Sequence, residues 1–370
     1  MDSNKSNAKS KKVRILALNG GGVRGLFTIS VLAELENVIE QKTGQTDVRI
    51  GNYFDLITGA SIGGILALGL AEGKSARELK DVFFTESSKI FPIHSFADGA
   101  RKFFRKIIAP TYKSDPLRKA IVAMIGDEIT FNDLARRVMI PSINLSTGKP
   151  QFFKTPHNPD FTRDGTIRLI DAAMATSAAP TYFAPHYIED LGFRFIDGGL
   201  VANNPSFIAL HEVFGDMKLD FPHANYEDIH ILNIGTMGEE YAVSPNLLSS
   251  KSFWKGGYLG LWGMGERLVL STMAANQILH QNMLKRELAI YSASSNYIKL
   301  DSQVPNEAAS DITLDNSSPS SLADLAGRGK QLVSEEYAKN GALRDFFNEP
   351  AALFKPLVTS VDRPYSEKKI

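Results

Sequence analysis

The chain has 370 residues, with 41 Lys or Arg against 41 Asp or Glu, so its formal net charge is zero. Because no overall field would attract a polyanion, we expect neither DNA nor RNA as a partner. The absence of cysteine excludes disulfides, thiol nucleophiles and thiolate metal sites.

The first twelve residues are polar and rich in lysine, without the apolar stretch of a signal peptide. We therefore predict a disordered leader over residues 1–12. The longest apolar run, Ile62 to Ala71, is much shorter than the roughly 20 residues that a membrane helix needs. These features predict a soluble, cytoplasmic protein.

The first predicted strand, Val13 to Leu18, leads into a loop that contains Gly20, Gly21, Gly22 and Arg24. A helix with one apolar face follows and should end at Gly44. Unhindered backbone N–H groups beside a helix N-terminus favour binding of an oxyanion or a phosphate.

The same loop satisfies the dinucleotide-binding pattern Gly-x-Gly-x-x-Gly through Gly20, Gly22 and Gly25. That pattern expects an acidic residue about 20 positions further on, at the end of the next strand. Asp47 stands near this position but does not close an apolar strand. A dinucleotide-dependent oxidoreductase is therefore an alternative that the context disfavours.

The apolar run from Phe54 to Gly64 includes Gly59-Ala60-Ser61-Ile62-Gly63. This pattern fits the Gly-x-Ser-x-Gly nucleophile elbow, in which a strand turns sharply into a helix and exposes the serine hydroxyl at the apex. A short apolar strand before it and a buried helix after it provide the required context. An ordinary glycine-rich turn is the alternative interpretation.

Ser75-Ala76-Arg77-Glu78 is a capping box that opens a helix through about Lys89. Between Pro92 and Lys113, aromatic residues alternate with Lys and Arg. Such a stretch could lie on an anionic membrane surface or cover an apolar site, while a solvated surface helix has the same pattern.

Two later stretches contain many small residues. Ser177 to Pro185 predicts a close approach of backbones, and a strand from Phe193 delivers Asp197 into a Gly198-Gly199 turn. The remaining predicted strands are at Val138 to Asn144, Ile229 to Thr236 and Tyr297 to Leu300. The remaining predicted helices are at Pro116 to Ile125, Asn132 to Arg137, Ile167 to Thr176, Met264 to Ile290 and Pro319 to Asn340.

The serine elbow, the triple-glycine loop with Arg24, the small-residue run and the Asp197-Gly198-Gly199 turn occur together in this order. The set resembles the patatin-like phospholipase family over roughly Val13 to Thr236. The resemblance implies a three-layer α/β/α fold with a largely parallel sheet and a helical lid and C-terminal extension. It also implies a Ser61–Asp197 catalytic dyad, an oxyanion hole in the glycine loop, and supporting motif glycines at 59, 63, 198 and 199. Asn19 departs from the aspartate that is frequent before these glycines, which puts loop anchoring in doubt.

In this scheme Ser61 attacks an ester carbonyl while Asp197 accepts its proton, and water later cleaves the acyl-enzyme. The N–H groups of Gly20, Gly21 and Gly22, with that of Ile62 as a further donor, would hold the oxyanion. Arg24 would hold the loop or neutralise a phosphate. Because an ordinary aspartate is a weak base for an alcohol, the site must be dry. No cofactor and no metal site is expected.

A Ser-His-Asp triad that uses His230 or His280 is the alternative mechanism. No histidine stands in a late Gly- or Asp-flanked turn, where such a hydrolase would place its base. A non-catalytic lipid-binding or storage protein is the alternative from another functional class, and the presence of both Ser61 and Asp197 argues against it.

The predicted organisation is a catalytic core at 13–236, with 92–137 as a lid or insert, a helical C-terminal part at 237–350 and a tail at 351–370. The resemblance implies hydrolysis of fatty-acyl esters of membrane glycerophospholipids at the inner membrane face, and a homo-oligomer is a further expectation. The chain also resembles bacterial patatin-like effectors of anti-phage defence that a cyclic nucleotide activates. Trp254 to Asn340 would be the region available for that control.

Overall fold

The computed structural model describes residues 12–92, 109–238, 261–304 and 312–357. The strands are β1 (Val13–Leu18), β2 (Leu56–Gly59), β3 (Arg137–Asn144), β4 (Lys149–Lys154), β5 (His186–Ile188), β6 (Phe193–Asp197), β7 (Ile229–Ile234) and β8 (Tyr297–Leu300). They form one sheet in the order β5-β6-β3-β2-β1-β7-β8, and β4 pairs with β3.

The central part of the sheet is parallel. Strands β3, β2, β1, β7 and β8 all run in one direction, whereas β4 and β6 are antiparallel to β3, and β5 is antiparallel to β6. Because the carboxyl ends of parallel strands meet at one edge, the loops that follow β1, β2 and β7 come together there.

The helices within the described ranges are α1 (Gly25–Thr43), α2 (Ile62–Glu72), α3 (Ala76–Ile90), α4 (Ser114–Ile125), α5 (Leu169–Thr176), α6 (Gly199–Ala202), α7 (Ser206–Asp216), α8 (Glu266–Ile290), α9 (Pro319–Lys339) and α10 (Gly341–Asp345). Among these residues, no helix is both long enough and apolar enough to cross a bilayer.

Alternate residues of β1 point into two separate cores, as the two-residue period of a strand requires. Leu16 and Leu18 pack in a large core with α1 to α5 and α9. Val13 and Ile15 pack in a smaller core with α7 and the end of α8. Helices therefore cover both faces of the sheet, which confirms the predicted three-layer α/β/α fold.

Local signals in the sequence give element ends accurately. Ser75 accepts a hydrogen bond from the Glu78 N–H at 3.1 Å, and the Glu78 carboxylate accepts one from the Ser75 N–H at 2.8 Å, so the predicted capping box is present. Helix α1 ends at Gly44, which has a left-handed φ of 71°. Strands β4 and β5, which lie at the antiparallel end of the sheet, were not predicted.

The predicted lid and tail are only partly described. Residues 93–108, which hold most of the basic aromatic stretch, and residues 239–260, which include Trp254, lie outside the described residues. In the remainder of the lid segment, α4 packs into the large core through its buried face. At the start of the tail, Ala351 and Phe354 donate backbone hydrogen bonds to the carbonyls of Asn52 and Ala135.

Candidate active site

Ser61 lies at the sharp turn between β2 and α2. Its backbone has φ 55° and ψ −128°, a conformation that costs a non-glycine residue about 1–3 kcal/mol. A Cβ at Gly63 would collide with the carbonyl oxygens of Leu18 and Asn19, and one at Gly59 would collide with the carbonyl of Gly63. The close backbone packing around this elbow therefore requires glycine on both sides of the serine.

Strand register brings Asp197 to the level of Ser61. Thr58 pairs with Met139 of β3, and Asp197 pairs with Ser142, which is three residues further along β3. Ser61 is likewise three residues beyond Thr58. Two side chains separated by 136 positions in the sequence thus line the same cavity.

The Asp197 carboxylate is fully buried, with 0% of the residue exposed. Its Oδ1 accepts a hydrogen bond from the Gly199 N–H at 2.7 Å. Its Oδ2 has no hydrogen-bond partner among the described residues. Because a buried carboxylate oxygen without a donor is costly, this atom is poised to accept the proton of a nearby hydroxyl.

Burial raises the pKa of Asp197 to about 7, and the Gly199 N–H and the nearby Ser61 hydroxyl act in the opposite direction. The Ser61 hydroxyl is close enough to affect this pKa, although it does not meet the geometry of a normal hydrogen bond with the carboxylate. Such contacts often tighten only when substrate binds. A pKa near neutrality suits a general base far better than the ordinary aspartate value.

Thr176, at the end of α5, connects the nucleophile to the carboxylate turn. Its Oγ1 accepts a hydrogen bond from the Ser61 N–H at 3.1 Å and donates one to the Pro141 carbonyl at 2.6 Å. Its carbonyl accepts a hydrogen bond from the Gly198 N–H at 3.1 Å. Sequence analysis missed this residue; the adjacent small-residue run from Ser177 was the only signal of close backbone packing here.

The glycine loop after β1 offers fewer free donors than its sequence suggests. The Gly20 N–H already donates to the Asn203 carbonyl at 3.1 Å, so the prediction that it serves the oxyanion needs correction. Among the described residues, no acceptor is bonded to the N–H groups of Gly21, Gly22 or Ile62. These three amides at two helix N-termini are therefore the candidate oxyanion donors.

Arg24 lies against the segment that follows β7. A Cβ at Gly238 would meet its guanidinium, and its Nε has no hydrogen-bond partner among the described residues. Burial lowers the pKa of Arg24 to about 10, against the opposing influence of Asp301 and Tyr182. These contacts favour the loop-holding role over donation to an oxyanion.

Asn19 is buried in an amide network below the glycine loop. Its Oδ1 accepts a hydrogen bond from Asn233 Nδ2 at 2.8 Å, and Asn233 Oδ1 accepts one from Asn204 Nδ2 at 3.2 Å. The asparagine that replaces the more frequent aspartate is therefore anchored through its carbonyl oxygen.

Helix α8, in the C-terminal part of the chain, holds the two halves of the site together. Asn276 Oδ1 accepts a hydrogen bond from the Asn203 N–H at 2.9 Å, and Asn276 Nδ2 donates one to the Gly199 carbonyl at 2.8 Å. Gln277 Oε1 accepts one from Asn203 Nδ2 at 2.6 Å. Because Asn203 also binds Gly20, α8 is linked to both the glycine loop and the carboxylate turn. Nothing local in the sequence marked these amides.

The dyad opens onto a cavity that both Ser61 and Asp197 line. Its walls are almost entirely apolar, which provides the dry environment that the weak base requires. The apolar lining includes Ile62, Ile65, Phe83, Phe91, Leu117 and Phe183.

The two histidines of the alternative triad lie away from the dyad. His230 pairs with Arg14, four residues before the carboxyl end of β7, whereas Ser61 follows the carboxyl end of β2. The ring of His280 stacks on that of Phe207, with centroids 6.2 Å apart. His280 is seven residues after Met273, which lines the cavity, and this spacing corresponds to a rise of about 10 Å along α8. No histidine in the described part of the chain lines the cavity, so the triad prediction is not supported.

The dinucleotide alternative also fails on geometry. Asp47 lies in the loop after α1, where it forms an exposed ion pair with Arg49 at 3.1 Å. The next strand ends at the Ser61 elbow instead of an acidic residue that could bind a ribose. Within the described ranges, no group of three or more His, Asp or Glu side chains could hold a metal ion.

Several known proteins are similar to this chain. The sequence profile of the family described as "Patatin-like phospholipase" matches residues 16–210, more than half of the chain. A "cGAMP-activated phospholipase" of Vibrio cholerae serotype O1 is 64% identical over 347 residues, covering 93% of this chain and 97% of the relative. One of Escherichia coli strain TW11681 is 62% identical over 353 residues, covering 95% and 98%.

Among solved structures, VipD from Legionella pneumophila aligns with a TM-score of 0.41 and 14% identity, covering 88% of this chain and 66% of VipD. The profile match and the two nearly full-length alignments show that the chain belongs to the patatin-like phospholipase family.

Proposed function

We propose that the protein is a serine lipid acyl hydrolase that cleaves fatty-acyl esters of glycerophospholipids through Ser61 and Asp197. The observation that carries this proposal is a fully buried carboxylate, with one unpartnered oxygen and a pKa near 7, beside a serine in a strained elbow. The apolar cavity next to them suits an acyl chain, whose binding would exclude water from the dyad.

The reaction follows from these groups. Asp197 accepts the Ser61 proton as Oγ attacks the ester carbonyl, while the amides of Gly21, Gly22 and Ile62 stabilise the developing negative charge. One such donor is worth roughly 3 kcal/mol in comparable sites. Protonated Asp197 returns its proton to the leaving alcohol, then activates a water that hydrolyses the acyl-enzyme.

The activator we propose is a cyclic dinucleotide of the cGAMP type. Two relatives carrying the name "cGAMP-activated phospholipase" align with this chain over nearly its whole length, including the C-terminal part. Helix α8, which holds both halves of the site, belongs to that part. We further propose that the enzyme works in the cytoplasm, peripherally at the inner membrane face, and assembles with copies of itself.

The test is fatty acid release from phospholipid vesicles, with and without a panel of cyclic di- and trinucleotides. We expect release that depends on cGAMP and is lost in both Ser61→Ala and Asp197→Asn, while His230→Ala and His280→Ala retain it. Release by Ser61→Ala at the wild-type rate would contradict the mechanism, and lipid binding without any release would favour the storage alternative. Vesicle flotation and light scattering check the proposed membrane contact and oligomer.

A further inference from the structure

Helices α2, α3 and α4 each line the cavity beside Ser61 over part of their length, and α8 lines it with Val269 and Met273. Helix α2 contributes Ile65, α3 contributes Phe83 and α4 contributes Leu117. The residues one turn deeper on each helix, Gly69, Leu79 and Ile121, do not line it. On these three helices the lining therefore ends at the level of Phe83 and Leu117.

The layer beneath this end is tightly packed. A Cβ added at Gly69 would lie 2.8 Å from a Leu79 methyl carbon and 3.3 Å from a side-chain carbon of Ile125. Leu79 and Ile125 are buried in the same core. Because native cores contain few voids, an acyl chain cannot extend past the floor without displacing a side chain.

The side wall of the cavity is also held in place. Phe91 packs edge-on against Phe183, with ring centroids 6.0 Å apart. Tyr182 donates a hydrogen bond from its hydroxyl to the Glu266 carboxylate at 2.8 Å. These contacts hold the part of the side wall that the described residues form.

Ile65 lines the cavity between Ser61 and the deeper part of α2. Ile65 is one helical turn after Ser61, a rise of about 6 Å along α2. An acyl chain whose carbonyl carbon is at Ser61 and which runs inward meets Phe83 and Leu117 soon after this turn. We propose that these two side chains form the floor of the acyl pocket and set the longest acyl chain that is cleaved at full rate. This inference rests on the proposed hydrolase function.

The test uses a homologous series of p-nitrophenyl esters, from butyrate to palmitate, with the full-length protein and cGAMP present. In the wild type we expect kcat/KM to rise with chain length and then fall. Each further methylene that finds room is worth about four-fold in kcat/KM. Phe83→Leu and Leu117→Ala should move the fall to longer esters and raise kcat/KM about ten-fold just beyond the wild-type limit. Leu117→Phe should move it to shorter esters.

Phe84→Ala is the matched control, since Phe84 is the next residue on α3 but is 43% exposed. Its chain-length profile and its rate of butyrate hydrolysis should both match the wild type. The inference would be overturned if the chain-length profiles of Phe83→Leu and both Leu117 variants superimposed on that of the wild type. It would also be overturned if the wild-type kcat/KM did not fall at long chain lengths. If Phe83→Leu does not fold, the two Leu117 variants decide. Failure of the proposed function would be seen separately, as butyrate hydrolysis that survives in Ser61→Ala.

Discussion

Replacing Asp197 by asparagine should abolish activity and yet stabilise the fold, by an amount that increases with pH. Burial raises the pKa of this carboxyl to about 7 from an ordinary value of 3.8. The folded state thus binds the proton more tightly than the unfolded state does. The stability of the wild type should therefore fall as pH rises from about 4 to about 7, and then level off.

The magnitude follows from the two pKa values. Each pKa unit corresponds to about 1.36 kcal/mol, so burying the ionised carboxylate costs up to roughly 4 kcal/mol above pH 7 and roughly 1.5 kcal/mol at pH 5. An asparagine at position 197 has nearly the same shape and no charge, and its oxygen can still accept the Gly199 N–H. The unfolding free energy of Asp197→Asn minus that of the wild type should thus increase by roughly 2–3 kcal/mol between pH 5 and pH 8.

Urea unfolding of the wild type and Asp197→Asn, at several values from pH 5 to pH 8, measures this difference directly. The same preparations, assayed with vesicles, should show a wild-type kcat/KM that rises about ten-fold per pH unit below 7 and is constant above it. A difference in unfolding free energy that is equal at pH 5 and pH 8 would refute the claim that Asp197 is ionised at a desolvated site.

Three further substitutions test the contacts around the site. Thr176→Val removes the acceptor of the buried Ser61 N–H, so kcat should fall by about 10- to 100-fold. Thr176→Ser should restore kcat, and an unchanged kcat in Thr176→Val would exclude a positioning role for Thr176. Gln277→Leu leaves an N–H group of the Asn203 side-chain amide without its acceptor, so kcat should fall more than KM changes. A change in KM alone would place the effect in substrate binding instead. Arg136→Ala removes the guanidinium that binds two carbonyls of the C-terminal segment. Urea unfolding should show an unfolding free energy lower by about 2–4 kcal/mol, with normal kcat in the folded enzyme. Equal stability would mean that Arg136 does not hold the segment.

The sequence by itself determined the features that depend on local sterics and local hydrogen bonds. Gly59 is required because a Cβ there would meet the carbonyl of Gly63, only four residues further on. The Ser75 capping box is likewise complete within one turn. The order of the motifs carried the resemblance to the patatin-like phospholipase family, and that resemblance implied the three-layer fold and singled out Ser61 and Asp197.

Only the tertiary structure decided which polar groups are free to react. The Gly20 amide is occupied by Asn203, and α8 contributes two amides from more than 70 residues away. The pKa of Asp197 and the exclusion of both histidines depend on burial and distance between segments that are remote in the sequence. Local patterns carry no information on these quantities, because hydrogen-bond competition and desolvation arise only when distant parts of the chain pack together.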